Sequence, residues 1–187
     1  MQSVKYNYCN NLEEVASTTI SGLATVYWDQ FPEYIRRLPH FLKECESYRE
    51  LGTNQGGSAS VALLENLKYY ELVDKSFKNF KPVKQHFDTY SKENNIEICY
   101  HEMSSLEVKT EVKTDFILID SVHKYKHVSQ EIKLYESLTN KFMMFHDTFG
   151  FPGVGQAVKD FLAETKNWKL VEEQNETPGY MVLERIK

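Results

Sequence analysis

Ser47-Tyr48-Arg49-Glu50-Leu51-Gly52-Thr53-Asn54-Gln55-Gly56-Gly57-Ser58 is the stretch on which the fold turns. Five residues of strand character run directly into a glycine-rich turn, and a segment carrying Val61, Leu63, Leu64 and Leu67 follows. Strand, tight turn and helix in that order form the opening unit of an α/β sheet. Gly52 permits a sharp exit from the strand, while Gly56 and Gly57 let a ligand and the helix come close to the backbone. Ser58 is placed to cap the helix, its hydroxyl oxygen taking an early N–H. The turn is no P-loop, because no Lys-Ser/Thr follows the glycines, and Asn54 stands where a dinucleotide fingerprint has its second glycine.

Outward from this unit the same alternation repeats. Tyr69–Asp74 reads as a second strand ending on an acid, and residues 81–93 as a helix with Pro82 in its first turn. Ile96–Tyr100 alternates as a third strand, with His101-Glu102-Met103-Ser104-Ser105 as its exit loop. Phe116–Ile119 is apolar throughout and ends on Asp120; Phe142–Phe145 is likewise apolar and ends on His146-Asp147. Such runs suit strands covered on both faces of a parallel sheet. Helices are expected over 125–138 and 154–165. Trp168–Glu172 and Tyr180–Glu184 flank the turn residues Thr177-Pro178-Gly179 and predict a terminal antiparallel hairpin. The expectation is an α/β fold, doubly wound around a mostly parallel sheet. Residues 1–42 read as a helical extension, with an amphipathic helix at Tyr34–Leu38 stopping before Pro39. Its aromatics Tyr6, Tyr8, Tyr27, Trp28, Phe31 and Tyr34 suit core cover or a substrate lid.

Composition narrows the function. The chain has 187 residues, 41% hydrophobic, enough for one well-filled domain. Twenty-two basic against 27 acidic side chains give a net charge of −5, which argues against nucleic acid as the main partner. Cys9, Cys45 and Cys99 lie far apart, so they read as buried or half-buried thiols of a reducing compartment. No apolar run approaches the length of a membrane span or a leader, so a cytoplasmic location with no membrane partner is expected.

In such sheets ligands bind beyond the carboxyl ends of the strands. Here those ends carry Glu50 and Gly52, Asp74, Met103 and Ser104, Asp120 and His123, and His146 and Asp147. Asp74 lies 22 residues after Gly52, the spacing at which an acid meets ribose hydroxyls. An acid there without a phosphate motif suggests an adenosine-like ligand lacking a pyrophosphate.

These residues resemble a known family. Glu50-Leu-Gly52-Thr-Asn-Gln-Gly56-Gly-Ser58 is similar to motif I of class I S-adenosylmethionine-dependent methyltransferases. Asp115-Phe-Ile-Leu-Ile-Asp120-Ser-Val-His123-Lys-Tyr125 resembles the D-x-I-x-I-D-G-x-H-x-Y stretch of the branch with small-molecule O-methyltransferases and cephalosporin-hydroxylase-like proteins. Phe145-His146-Asp147-Thr148 with Pro152-Gly153-Val154 resembles its H-D-T…P-G-V segment. The resemblance spans residues 43–187 and implies a Rossmann-like, seven-stranded methyltransferase domain behind the 1–42 extension. It implies that Glu50, Gly52, Thr53, Asn54, Gly56 and Ser58 hold the methionine part of S-adenosyl-L-methionine, Asp74 the ribose, and Met103 and Ser104 the adenine, with Asp120 orienting the cofactor's amino group. Departures stand at Ser121, Val122 and His101-Glu102-Met103, where the family has a glycine, often a second acid, and a G-D lead-in.

Methyl transfer to a hydroxyl requires positioning and loss of the acceptor's proton, to a base or with the help of a metal. Asp120, His146 and Asp147 are candidate ligands for Mg²⁺ or Mn²⁺, and Asp120 and His146 are also candidate catalytic groups. His123 is the preferred base, as a neutral imidazole near pH 7. His127 is expected on an exposed helix face, and His40 and His86 at the surface or in packing. The expected activity is methylation of a small polar molecule, with a homodimer as in relatives. A non-catalytic cofactor-binding module and a nucleotide-sugar or dinucleotide enzyme are the other readings.

Overall fold

The protein is described by a computed structural model over residues 5–21 and 33–186. Tyr27, Trp28 and Phe31 of the expected aromatic cover lie outside these residues. Seven strands form one sheet: β1 (Ser47–Leu51), β2 (Tyr69–Asp74), β3 (Glu97–Glu102), β4 (Thr114–Ile119), β5 (Thr139–His146), β6 (Trp168–Gln174) and β7 (Tyr180–Arg185). Their spatial order is β3-β2-β1-β4-β5-β7-β6. The first five run parallel, and β7 enters antiparallel between β5 and β6. This is the expected Rossmann-like sheet with its terminal hairpin. The chain reverses its direction of travel across the sheet between β3 and β4, so the crevice opens above the neighbouring ends of β1 and β4.

Alternation along β4 builds the two faces of the core. Phe116 and Leu118 pack with Tyr48, Tyr70, Leu72 and Met144 on one side. Ile117 and Ile119 pack with Leu51, Val73, Met143 and Phe145 on the other. The second face is covered by α5 (Tyr125–Tyr135) and α6 (Pro152–Glu164). The first is covered by α1 (Leu12–Ile20), α2 (Glu33–Leu42), α3 (Gly57–Leu63) and α4 (Lys84–Glu93). Tyr6, Leu12, Val15, Leu38, Phe41 and Leu42 join the same cluster as the sheet residues, so the N-terminal helices are part of the core. Among the described residues no helix is long and apolar enough to cross a membrane.

Several boundaries differ from expectation. Helix α2 continues through Pro39 to Leu42, because burial of Leu38, Phe41 and Leu42 outweighs the one backbone bond a proline removes. Ser58 is not the cap of α3: Gly56, at φ 81°, holds that position, and Ser58 sits inside the helix. That helix ends at Leu63, before Leu67. His101 and Glu102 belong to β3, pairing with Val73 and Asp74, instead of forming an exit loop. The helix expected over 125–138 is α-helical to Tyr135 and closes with one 3₁₀ turn, Glu136–Leu138.

Candidate active site at the strand ends

Gly52 leaves β1 at φ 96°, and a Cβ there would overlap the Asp120 carbonyl, so β1 and β4 exit in backbone contact. Only glycine meets both conditions. The turn is held from the next strand: Asp74 accepts the Asn54 N–H through Oδ2 at 2.7 Å and the Ser76 N–H through Oδ1 at 3.0 Å. Asn54 is left-handed at φ 47°, which asparagine tolerates, and its Oδ1 accepts from Asn79. Asp74 therefore ties the glycine turn to the end of β2. At the far side of the turn, the Tyr6 hydroxyl covers Gly57 and bonds Thr19 of α1 at 2.7 Å.

Glu50 is completely buried below this turn. Its Oε1 accepts from Ser58 at 2.6 Å and its Oε2 from Tyr48 at 2.5 Å. Burial pushes its carboxyl up to about 8 against those two hydrogen bonds, and the charges of Asp120 and Asp74 push the same way.

The ends of β4 and β5 bring Asp120, His123, His146 and Asp147 together. His146 Nδ1 lies 3.1 Å from Asp120 Oδ1 and 3.7 Å from Asp147 Oδ1. His123 Nε2 bridges Asp120 Oδ1 at 3.3 Å and Asp147 Oδ2 at 3.0 Å. Asp147 adopts φ 61°, a conformation rare outside glycine and asparagine, which turns the chain out of β5. Burial raises Asp120, but the two imidazoles outweigh it and hold the carboxyl at about 2. Hydrogen bonds to Asp120 and Asp147 hold His123 up to about 10. This corrects the expectation of a neutral His123: two carboxylates within hydrogen-bond reach keep its proton in place at pH 7. One ligand atom from each of Asp120, His146 and Asp147 lies within 4.8 Å of the others. Asp147 Oδ1 and His146 Nε2 are buried without a partner.

Tyr34 of α2 joins this cluster, its ring over His146 at 4.1 Å and 30°. Burial and the charges of Asp120, Glu50 and Asp147 push its hydroxyl well above the usual tyrosine range. Of the other preamble aromatics, Tyr6 is in the core and Tyr8 is exposed.

Met103 is exposed and Ser104 half-buried at the start of the β3–β4 loop. Beside them lies a group that sequence reasoning passed over. Glu131 of α5 is fully buried, and its Oε1 accepts from Ser105 and Ser121, each at 2.5 Å, with His127 Nε2 at 3.3 Å. His127 is thus half-buried against Glu131 instead of facing solvent, a contact that its i, i+4 spacing signals. Ser121, the residue in place of the family's glycine, supplies one of these bonds. His40 is exposed, and His86 Nε2 meets the Cys9 carbonyl at 3.1 Å. All three thiols are free, Cys45 buried and the others half-buried.

The O-methyltransferase from Bacillus cereus in complex with SAH superposes with a TM-score of 0.67, covering 97% of this chain and 94% of its own at 13% identity. The N-methyltransferase NodS from Bradyrhizobium japonicum, also with SAH, gives 0.66 over 92% and 99% at 14% identity. The O-methyltransferase TomG from Streptomyces achromogenes, in complex with SAM, gives 0.66 over 94% and 89% at 11% identity. The chain has the methyltransferase fold. No family model and no curated protein matches the sequence. On this sheet the glycine turn, Asp74 and the Asp120–Asp147 cluster all stand at the carboxyl edge.

Proposed function

We propose that this protein is an S-adenosylmethionine-dependent methyltransferase acting on a hydroxyl of a small polar molecule. The observation that carries the reading is the glycine turn: Gly52 leaves β1 against the Asp120 carbonyl, Asp74 holds the Asn54 N–H from the end of β2, and the fully buried Glu50 lies below, on a fold shared with SAM- and SAH-bound methyltransferases. In this reading Gly52–Ser58 and Glu50 face the methionine part, Asp74 takes the ribose, and Met103 and Ser104 border the adenine.

The cofactor supplies an electrophilic methyl group, and the protein's task is orientation and charge. In this reading the Asp147 carboxylate, whose Oδ1 lacks a hydrogen-bond donor, accepts a hydrogen bond from the acceptor's hydroxyl. Tyr34 lies over the His146 ring and closes one side of this cluster. His123 holds Asp120 and Asp147 at fixed separation. Asp120, His146 Nδ1 and Asp147 form an oxygen and imidazole donor set that fits Mg²⁺ or Mn²⁺, and the unpartnered Asp147 oxygen supports that fit. Such a cation would add Lewis-acid polarisation of the acceptor oxygen.

Isothermal titration with S-adenosylhomocysteine tests the reading. Saturable binding is expected, weakened about tenfold by Asp74→Ala; absence of heat with folded protein would refute it. Calorimetry with Mn²⁺ tests the cation separately, with binding expected in the native chain and lost in Asp120→Asn.

A further inference from the structure

Glu131 of α5 is fully buried, yet it reaches two segments that carry the proposed cofactor residues. Its Oε1 accepts the Ser105 hydroxyl from the β3–β4 loop and the Ser121 hydroxyl from the exit of β4, each at 2.5 Å. Ser105 is held a second time, its carbonyl accepting the Tyr135 hydroxyl at 2.6 Å. The residue before it, Ser104, opens a tight turn. Its carbonyl accepts the Glu107 N–H at 2.9 Å and its hydroxyl the Leu106 N–H at 3.3 Å. Met103 and Ser104 therefore belong to a loop that Ser105 anchors to α5.

Ser121 is the other end of the link. It follows Asp120, whose N–H bonds the Leu51 carbonyl at 2.9 Å, and a Cβ built on Gly52 would come within 2.9 Å of the Ser121 Cα. Ser121 thus lies against the glycine turn. One carboxylate oxygen ties this turn to the loop after β3. Hydrogen bonds accepted by a carboxylate are roughly twice as strong as neutral ones, and here they are shielded from water, so the link is stiff. A glycine at position 121 would have no hydroxyl to offer. The link therefore exists because this chain departs from the family's residue at that position.

We propose that Glu131 is a positioning residue for the cofactor, a brace that sets the separation between Met103–Ser104 and the glycine turn. The inference rests on the methyltransferase reading for its ligand. A molecule gripped by its adenine at one end and its methionine part at the other binds best when both grips already stand at its own span. Where that span is slack, drawing the two grips together costs part of the binding energy. Glu131 has no exposed surface, so it acts through the two serines and not by touching the ligand.

Calorimetric titration of S-adenosylhomocysteine into full-length variants tests the brace. Ser105→Ala cuts one arm, Ser121→Ala the other, and Glu131→Ala both. If the two arms are one link, each single variant should weaken binding about five- to tenfold, and the Ser105→Ala/Ser121→Ala double no further than Glu131→Ala. Glu131→Gln, whose amide oxygen can take both hydroxyls, should stay within about twofold of the native chain. Val182→Ala on β7, a buried truncation on the sheet face away from α5, should leave affinity unchanged despite lower stability. Losses that multiply in the double serine variant, a loss in Glu131→Gln as large as in Glu131→Ala, or an equal loss in Val182→Ala would overturn the assignment. If Glu131→Ala fails to fold, the two serine variants and their double decide. Native binding that no variant weakens removes the brace alone. Silence from the folded native chain removes the methyltransferase reading, and the role of the brace with it.

Discussion

Glu50 illustrates how one side chain links the stability of this protein to its chemistry. With no exposed surface and hydrogen bonds only from neutral hydroxyls, its carboxyl is held up to about 8, from an ordinary value of 4.5. The folded state therefore binds this proton more tightly than the unfolded chain does. Its contribution to stability is fully present below pH 4.5 and is lost as pH rises through 8. Glu50→Gln keeps the shape and removes the titration. Urea unfolding at about pH 5 and about pH 8.5 should show the wild type losing stability relative to the variant by a few kcal/mol, since each tenfold difference in proton affinity between folded and unfolded states is worth about 1.4 kcal/mol. Parallel slopes for the two proteins would mean that Glu50 is not held protonated. Comparing the two cancels the titrations they share.

At the scale of elements, the strands and their exits were legible because periodicity and glycine placement report backbone needs directly. Gly52 is required where two strand ends touch, and Phe116–Ile119 is apolar because both its faces are covered. What was not legible were the polar contacts that form only after distant elements meet. Arg49 and Glu71 read as ordinary charged strand residues, yet they are adjacent in the β1–β2 register and form a fully buried ion pair, both N–H bonds ending on Glu71 Oε2 at 2.9 and 2.6 Å. The same holds for Glu131, which gathers Ser105 from the β3–β4 loop, Ser121 from the end of β4 and His127 from its own helix. Apart from the i, i+4 pair of His127 and Glu131, no spacing in the sequence joins these residues. Because the two hydroxyls are fixed by one carboxylate, Glu131→Ala should cost about 1–3 kcal/mol by leaving them without an acceptor. It should also speed amide exchange at Met103–Leu106 and at Ser121, while Glu131→Gln, which keeps one acceptor oxygen, should restore most protection. Unchanged exchange in Glu131→Ala would show that packing alone holds the loop.

For the whole molecule, the question is whether residues 1–42 are a detachable cover or part of the fold. Helix α3 settles the physical expectation. From Ser58 to Leu63 every residue of it is buried, and it carries the glycine turn at its head. That burial comes from α1 and α2 as well as from the sheet: Ala16, Ile35 and Val61 form one cluster, and Leu12, Val15, Leu38 and Leu42 share another with Ala59, Ala62 and Leu63. Leu12, Val15, Ile35, Leu38, Phe41 and Leu42 are all buried. At about 1.5–3 kcal/mol for each large apolar side chain, their burial is on the order of 10 kcal/mol, comparable with the whole stability of a typical domain. A chain beginning at Lys43 would expose a seven-residue apolar helix and one face of the sheet, and α3 is too short to persist unsupported. Such a chain should lack near-ultraviolet circular dichroism, bind a hydrophobic dye and show no cooperative urea transition. A sharp transition with native near-ultraviolet signal would instead make residues 1–42 a separable cover. The outcome bears on the site directly, because Tyr34 belongs to α2: if that helix is integral to the core, the ring over His146 is as permanent as the sheet itself.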